Sequence, residues 1–314
     1  MSLLDHLQEY LSIRRSLGYD LRSSERILRR FVEFVEAENA PHVTTALFLR
    51  WQDGFGHAGR QTWAARLSMI RLFAQWLRGF DPRHEVPPRN LIPNRNRRVR
   101  PHIYGDEQIA AIIEASSKLP SIYGMRGLTC STLFGVIAAT GLRISEALNL
   151  DNTDVDLNAG VLHVRRGKNG RERLIPLAPS VTAKLKSYAA ERNRLLRLTP
   201  KPFFVNCEGR RFSDCSARYN FALACQSIGL RAAQEYGRHG RGPRIHDLRH
   251  SFAAQTMIDW YRAGKDAARE MIKLTTYLGH TKPENTYWYI EAVPELLELA
   301  SDRVAGADEG KVRQ

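Results

Sequence analysis

Arg143, Lys168, His246, Arg249, His280 and a tyrosine near the C-terminus, Tyr287 or Tyr289, lie far apart along the chain, but their side-chain types together make a metal-free kit for phosphoryl transfer. A phosphodiester carries one negative charge, and nucleophilic attack builds more on its non-bridging oxygens. Two fixed guanidiniums answer that charge with bidentate hydrogen bonds and no reorganisation. A tyrosine hydroxyl attacks phosphorus once a base takes its proton, and the covalent ester that results stores the bond energy. A lysine protonates the leaving oxygen, and an imidazole beside a fixed cation suits proton transfer at near-neutral pH.

Each residue also has a structural reading. Arg143 stands in TGLRISEALNL, directly after the uncharged run Gly127 to Leu142. An arginine at the mouth of a buried helix must find an anion, either a neighbouring carboxylate or a ligand phosphate. Glu146, three residues on, is the available carboxylate. Lys168 sits beside a turn in RRGKNGRERLIPL, where it either keeps the tip soluble or projects into a facing cleft. In RIHDLRHSF, His246 and Arg249 fall at i and i+3, one face of a helix. His246 and His250 also have the H-x-x-x-H spacing of a zinc protease helix, with Asp247 where glutamate is expected. The shorter acid, the adjacent Arg249 and the lack of a second acidic cluster argue against a metal, and none is expected. In YLGHTKPENTYWYI, Tyr287, Trp288 and Tyr289 are either packing residues or the source of a nucleophile.

The elements that must position these groups divide into two domains. With 314 residues, 43% of them apolar, the chain has enough length and hydrophobicity for two cores, which excludes disorder over most of it. The uncharged run is too short and too interrupted for a membrane span, and Asp5, His6, Gln8 and Glu9 break any early apolar stretch, so no signal peptide is expected. Four cysteines without a C-x-x-C pair fit reduced thiols and a cytoplasmic location. The excess of 47 Lys and Arg over 33 Asp and Glu favours a polyanionic partner, chiefly nucleic acid.

Residues 1–92 carry 13 basic and 10 acidic side chains, every basic one Arg. Ile27, Leu28, Phe31, Phe34 and Val35 mark one helical face beginning near Ser23 or Ser24, and Trp63, Leu67, Ile70, Ala74 and Leu77 mark another. Short helices at Leu3–Leu11 and Thr45–Trp51 complete a four-helix bundle, its aromatics read as core. Residues 93–104 carry Arg95, Arg97, Arg98 and Arg100 and no acid between Pro93 and Pro101, an extended linker suited to following a phosphate backbone. Residues 105–314 begin with a helix start at Gly105-Asp106-Glu107-Gln108, continue into the buried run and a helix from Ile144, and then alternate with period two over Val161–Arg166 and Arg173–Leu177. Asn169-Gly170 between those strands is a strong hairpin signal. The fold class is therefore mainly α with a small β-sheet, a helical domain followed by a mixed α+β domain.

Taken in order, Arg143 in TGLRISEAL, Lys168 in the hairpin, His246-x-x-Arg249, Leu278-Gly279-His280 and Tyr289 nine residues later resemble the tyrosine recombinase (phage integrase) family, in a two-domain form like its Xer and transposon members. The resemblance implies a helical, SAM-like core-binding domain over 1–92 and a catalytic domain over 105–314. It implies that Arg143 and Arg249 bind the scissile phosphate with His280, that Lys168 is general acid toward the 5′-hydroxyl, that His246 assists as general base, and that Tyr289 forms a 3′-phosphotyrosyl link. Glu146 matches a supporting acid that orients Arg143 or Lys168. It further implies no cofactor, double-stranded DNA as partner, and four protomers, or a related recombinase, working on two sites. Arg95, Arg97, Arg98 and Arg100 would lie along the backbone, and a C-terminal helix after Pro294 would pass to a neighbouring protomer. With the helical domain starting almost at Met1, no additional arm-binding domain is expected. Rival readings are a type IB topoisomerase and an inactive DNA-binding accessory protein.

Overall fold

Four helices, each burying one face, build the first part of the molecule: α1 (Leu3–Ser16), α2 (Arg22–Ala37), α3 (Thr45–Gly54) and α4 (Arg60–Leu77). The computed structural model describes residues 2–93, 100–121, 123–165, 172–232, 242–279, 293, 295–299 and 301. It separates into two compact units, residues 1–99 and 100–314. In the first unit, Ser2 and Asp5 close a reciprocal cap on α1, and the Thr44 hydroxyl accepts from the Leu47 amide at the start of α3. Leu7, Leu28, Phe31, Val35, Phe48, Trp51, Trp63, Leu67, Ile70 and Leu77 form one core, so the expected aromatics are interior packing. α2 begins at Arg22, a residue or two ahead of the expected serines and without a side-chain cap.

The second unit is mainly helical around a three-stranded antiparallel sheet, in agreement with the expected fold class. Its elements are α5 (Asp106–Ser117), α6 (Met125–Thr140), α7 (Ile144–Asn149), β1 (Val155–Asp156), β2 (Val161–Val164), β3 (Arg173–Pro176), α8 (Pro179–Leu196), α9 (Asp214–Ser227), α10 (Ile245–Arg262) and α11 (Ala267–Leu278). Leu162 pairs with Val155 on one side and Ile175 on the other, and these three side chains face the core. Alternation along β3 puts Arg173 on the same face as buried Ile175, while Leu174 and Pro176 are exposed. The turn at Asn169-Gly170 lies outside the described residues.

α6 carries most of the uncharged run, from Gly127 to Thr140, and burial of that stretch on nearly every side explains its composition. α10 packs across it and is fixed at its start by residues from the head of the unit. The Tyr104 amide donates to the Ser251 hydroxyl at 2.8 Å and the Tyr104 hydroxyl to the Arg244 carbonyl at 3.1 Å. Buried Asp247 accepts from the Arg244 amide at 2.8 Å and completes the cap. A satellite core joins α10 to α11 through Ala254, Met257, Ile258, Met271 and Leu274, and Val293 and Leu296 are buried in it, within their own chain. Among the described residues, no helix is long and apolar enough to cross a membrane. All four cysteines are free, with Cys130 and Cys225 buried.

α6 ends at Gly141, which adopts the left-handed conformation with φ 62°, and a Cβ built there would stand 2.5 Å from the Phe252 ring on α10. Gly141→Ala is therefore expected to destabilise the unit by at least ~1–2 kcal/mol from backbone conformation alone, with ring overlap added. In thermal unfolding followed by circular dichroism, Gly141→Ala combined with Phe252→Ala should cost less than the two single losses added. Simple additivity would show that the ring contact is not what demands glycine.

Candidate active site

Both expected phosphate-binding arginines hang from helix termini and are held by backbone carbonyls. Arg143 is the N-cap of α7, where its amide donates to Glu146 Oε2 at 3.0 Å and its Nη1 to Glu146 Oε1 at 2.7 Å. Its Nη2 crosses to the Gly279 carbonyl at 3.1 Å. Arg249, on the second turn of α10, is 1% exposed. It donates from Nη1 to the Gly141 carbonyl at 2.6 Å and from Nη2 to the Leu278 carbonyl at 2.6 Å. The two left-handed glycines that end α6 and α11 thus each receive one of the two arginines. Gly279 has φ 64°, and a Cβ there would come 3.1 Å from the Arg173 guanidinium.

Arg173 is the site residue that the motifs did not name. From the inner face of β3 it forks onto Glu146, with Nη1 to Oε1 at 3.1 Å and Nη2 to Oε2 at 2.7 Å, while its Nε donates to the Tyr277 carbonyl at 2.9 Å. Consecutive carbonyls at the end of α11 (Tyr277, Leu278 and Gly279) are therefore taken by Arg173, Arg249 and Arg143 in turn. This is the negative end of the helix dipole, where cations are favoured. The signal for Arg173 was present in the sequence: it shares strand parity with Ile175, so an apolar-facing position carries an arginine.

Glu146 is almost completely enclosed. Burial would raise its pKa, but the hydrogen bond from Arg173, the Arg143 amide and the charges of both guanidiniums outweigh that and bring it down to about 2. It is ionised throughout the physiological range. Arg143 keeps 18% of its side chain exposed, so part of this guanidinium stays open to a ligand.

His246 occupies the first turn of α10, with its ring exposed at the surface and edge-on to His250 at a centroid distance of 4.6 Å. The bulk of surrounding protein lowers its pKa first, then Arg249, with Arg244 and Arg143 adding to the effect and Asp247 opposing it, to about 4. At neutral pH this imidazole is uncharged and able to accept a proton. Arg100 is exposed. Lys168, His280, Tyr287, Tyr289, Arg95, Arg97 and Arg98 lie outside the described residues. Among the described residues, no group of three or more His, Cys, Asp or Glu is placed to hold a metal.

A profile described as the phage integrase family matches residues 105–295, the stretch that contains all of this geometry. The chain belongs to that family. It is 38% identical over 303 residues to a putative integrase/recombinase, y4rB, of Sinorhizobium fredii, covering 95% of each chain. It is 28% identical to the tyrosine recombinase XerC of Pelotomaculum thermopropionicum, covering 76% of this chain and 73% of that one. Among solved structures, the Tn1549 transposon integrase in complex with transposon right end DNA superposes with a TM-score of 0.62 at 14% identity, over 96% of this chain and 99% of that one, a likeness of fold. The chain is thus a tyrosine recombinase, an enzyme of site-specific DNA recombination.

The lowered pKa of His246 has a sign that can be checked on the free recombinase. A histidine depressed in the folded state contributes stability above the ordinary range near ~6.5, and that contribution is lost as pH falls toward the folded value. The His246 Cε1 proton, assigned with His246→Asn, should report a neutral ring at pH 6 and protonation only near pH 4. A midpoint close to the ordinary histidine value would show that its neighbours do not disfavour the charge.

Proposed function

We propose that the recombinase cuts and rejoins DNA at one phosphate held by Arg143 and Arg249, through a phosphotyrosyl ester on Tyr289. The observation that carries this reading is the crosswise anchoring of the two guanidiniums on the carbonyls of Gly279 and Gly141, which holds them in place before any ligand arrives. Preorganised donors of this kind contribute ~10²–10³-fold each in comparable anion-stabilising sites.

In the reaction, the Tyr289 hydroxyl attacks phosphorus as its proton passes to neutral His246. A bond forms between the tyrosyl oxygen and phosphorus, and the bond from phosphorus to the 5′-oxygen breaks. Lys168 gives that oxygen a proton, so the products are a 3′-phosphotyrosyl strand and a free 5′-hydroxyl. His280 donates to a non-bridging oxygen. Attack by a 5′-hydroxyl from another strand reverses every transfer and completes exchange without consuming an external energy source. Glu146 is a supporting group that orients Arg143.

Double-stranded DNA is the substrate, and four protomers acting on two sites are the working assembly. The first unit is assigned to duplex binding. Its Arg66 guanidinium lies 4.6 Å from the Phe55 ring centroid and 4.4 Å from that of Trp63, and Arg30 lies 5.2 Å from Phe55. Burial first, then Arg30 and Arg26, lowers the pKa of Arg66, and among the described residues no carboxylate pairs with these three. Such a patch suits a phosphate backbone. As the family resemblance implies, Arg95, Arg97, Arg98 and Arg100 would also contact the DNA backbone, and the helix after Pro294, which packs within its own chain through Val293 and Leu296 in the free protein, would pass to a neighbouring protomer in the assembly.

Nicked duplexes tiling the DNA around the recombinase's own gene test this reading, because a nick near the cleavage point lets the covalent complex accumulate. Wild-type protein and Tyr287→Phe should form an adduct stable to detergent, and Tyr289→Phe should form none. An adduct formed by Tyr289→Phe but not by Tyr287→Phe would transfer the nucleophile's role to Tyr287.

A further inference from the structure

Arg173 stands outside the motifs, yet it takes half of the hydrogen bonds that Glu146 accepts. A carboxylate has about four lone-pair sites, and here all are used: Oε1 accepts from Arg143 Nη1 and Arg173 Nη1, and Oε2 from the Arg143 amide and Arg173 Nη2. The preferred pairing of a carboxylate with a guanidinium is the two-nitrogen fork. Arg173 holds the fork, while Arg143 meets the same carboxylate through one guanidinium nitrogen and sends the other to Gly279.

Without Arg173, two lone-pair sites of a buried, ionised carboxylate would open beside Arg143. The cheapest way to fill them is for Arg143 to rotate into the fork itself, drawing Nη2 from the Gly279 carbonyl and turning its outer edge inward. The local charge balance would change as well. Around Glu146, Arg143 and Arg173 together leave one positive charge in excess, whereas Arg143 alone would be neutralised, leaving only Arg249 as a net cation for an incoming phosphate.

We infer that Arg173 is a positioning residue for strand cleavage: by forking onto Glu146 it restricts that carboxylate to a one-nitrogen hold on Arg143 and keeps the rest of the Arg143 guanidinium available to the scissile phosphate. This rests on the assignment of Arg143 to phosphate binding made above. Arg173 touches neither DNA nor the reacting atoms in this scheme. Its Nε bond to the Tyr277 carbonyl also ties it to the end of α11, immediately before the segment that carries His280 and Tyr289.

The test compares wild type, Arg173→Gln, Arg173→Lys, Glu146→Gln and Arg173→Gln/Glu146→Gln on the same nicked duplexes, measuring duplex affinity by gel shift and the rate of covalent adduct formation separately. Affinity is expected to stay within ~2-fold, because backbone binding is shared among many phosphates. The adduct rate of Arg173→Gln should fall at least ~10-fold, an effect of the size seen when a positioning contact for an anion is lost. Removing the carboxylate's charge should release Arg143, so the double variant should recover to within ~3-fold of Glu146→Gln alone, a coupling that independent structural damage does not produce. Arg173→Lys keeps the charge without the fork and should fall between wild type and Arg173→Gln. If Arg173→Gln does not fold, Arg173→Lys with and without Glu146→Gln carries the same comparison. An unchanged adduct rate in the Arg173 variants, or losses that multiply in the double variant, overturns the inference. Wild-type protein that forms no adduct anywhere on the tiled DNA would overturn the proposed chemistry itself, a failure distinct from that of Arg173 alone.

Discussion

The second unit depends on a helix end that three arginines share. α11 ends in the carbonyls of Tyr277, Leu278 and Gly279, and Arg173, Arg249 and Arg143 donate to them in turn. Each partner solves a problem for the other. Carbonyls at a buried helix terminus are costly when left without donors, and guanidiniums withdrawn from water are costly without acceptors. Carbonyls carry only partial charge, however, so they satisfy the hydrogen bonds of the three cations without cancelling their charge. Glu146 is the carboxylate that pairs with Arg143 and Arg173. Among the described residues the cluster is hydrogen-bonded mainly to neutral carbonyls, which suits the proposed binding of a phosphate there.

This arrangement explains the two glycines better than conformational freedom alone does. A left-handed residue at a helix end turns the chain out of the helix and aims its carbonyl away from the helical ladder. At Gly141 that carbonyl meets Arg249, and at Gly279 it meets Arg143. A side chain would overlap the Phe252 ring at Gly141 and press closely on the Arg173 guanidinium, at 3.1 Å, at Gly279. The glycine requirement is steric as well as torsional, and it lies within the geometry proposed to bind phosphate. α7, only six residues long, could not hold Arg143 by its own propensity. It is held by the Glu146 cap at its start and by Arg211, whose Nη1 donates to the Leu148 carbonyl at 2.6 Å, at its end.

How much of this was legible in the sequence follows from the kind of interaction involved. Helical periodicity gave α1 to α4, because a 3.6-residue repeat of apolar side chains has few other solutions. The pair Arg143 and Glu146 was legible because an arginine at the mouth of a buried helix must find an anion, and Glu146 lies three residues on. β1 was not, since two residues cannot establish a period. The carbonyl partners of the arginines were not legible either: every residue has a carbonyl, so nothing in the type of Leu278 or Tyr277 announces that its oxygen will accept from a guanidinium more than a hundred positions away in the case of Arg173. Arg173 itself could have been found, as a charge placed at core-facing parity beside Ile175, but an expected strand with polar ends gave no reason to look there.

The two units treat their arginines in opposite ways, and this contrast bears on how the proposed chemistry is divided between them. At the site in the second unit Arg249 and Arg173 are enclosed and committed, Arg249 at 1% exposure with its terminal nitrogens bonded to two carbonyls. Such groups add little to long-range attraction, and their value lies in being already oriented when charge develops at phosphorus. In the first unit Arg66 and Arg30 rest on the Phe55 ring, and Arg26 is close enough to affect Arg66. Cations that repel one another in the free protein gain most when a polyanion replaces the counterions around them. On the proposed reading, affinity for duplex in general and competence at one phosphate are supplied by different arginines. Variants in the first group should change the salt dependence of binding, whereas variants in the second should change the rate of the covalent step.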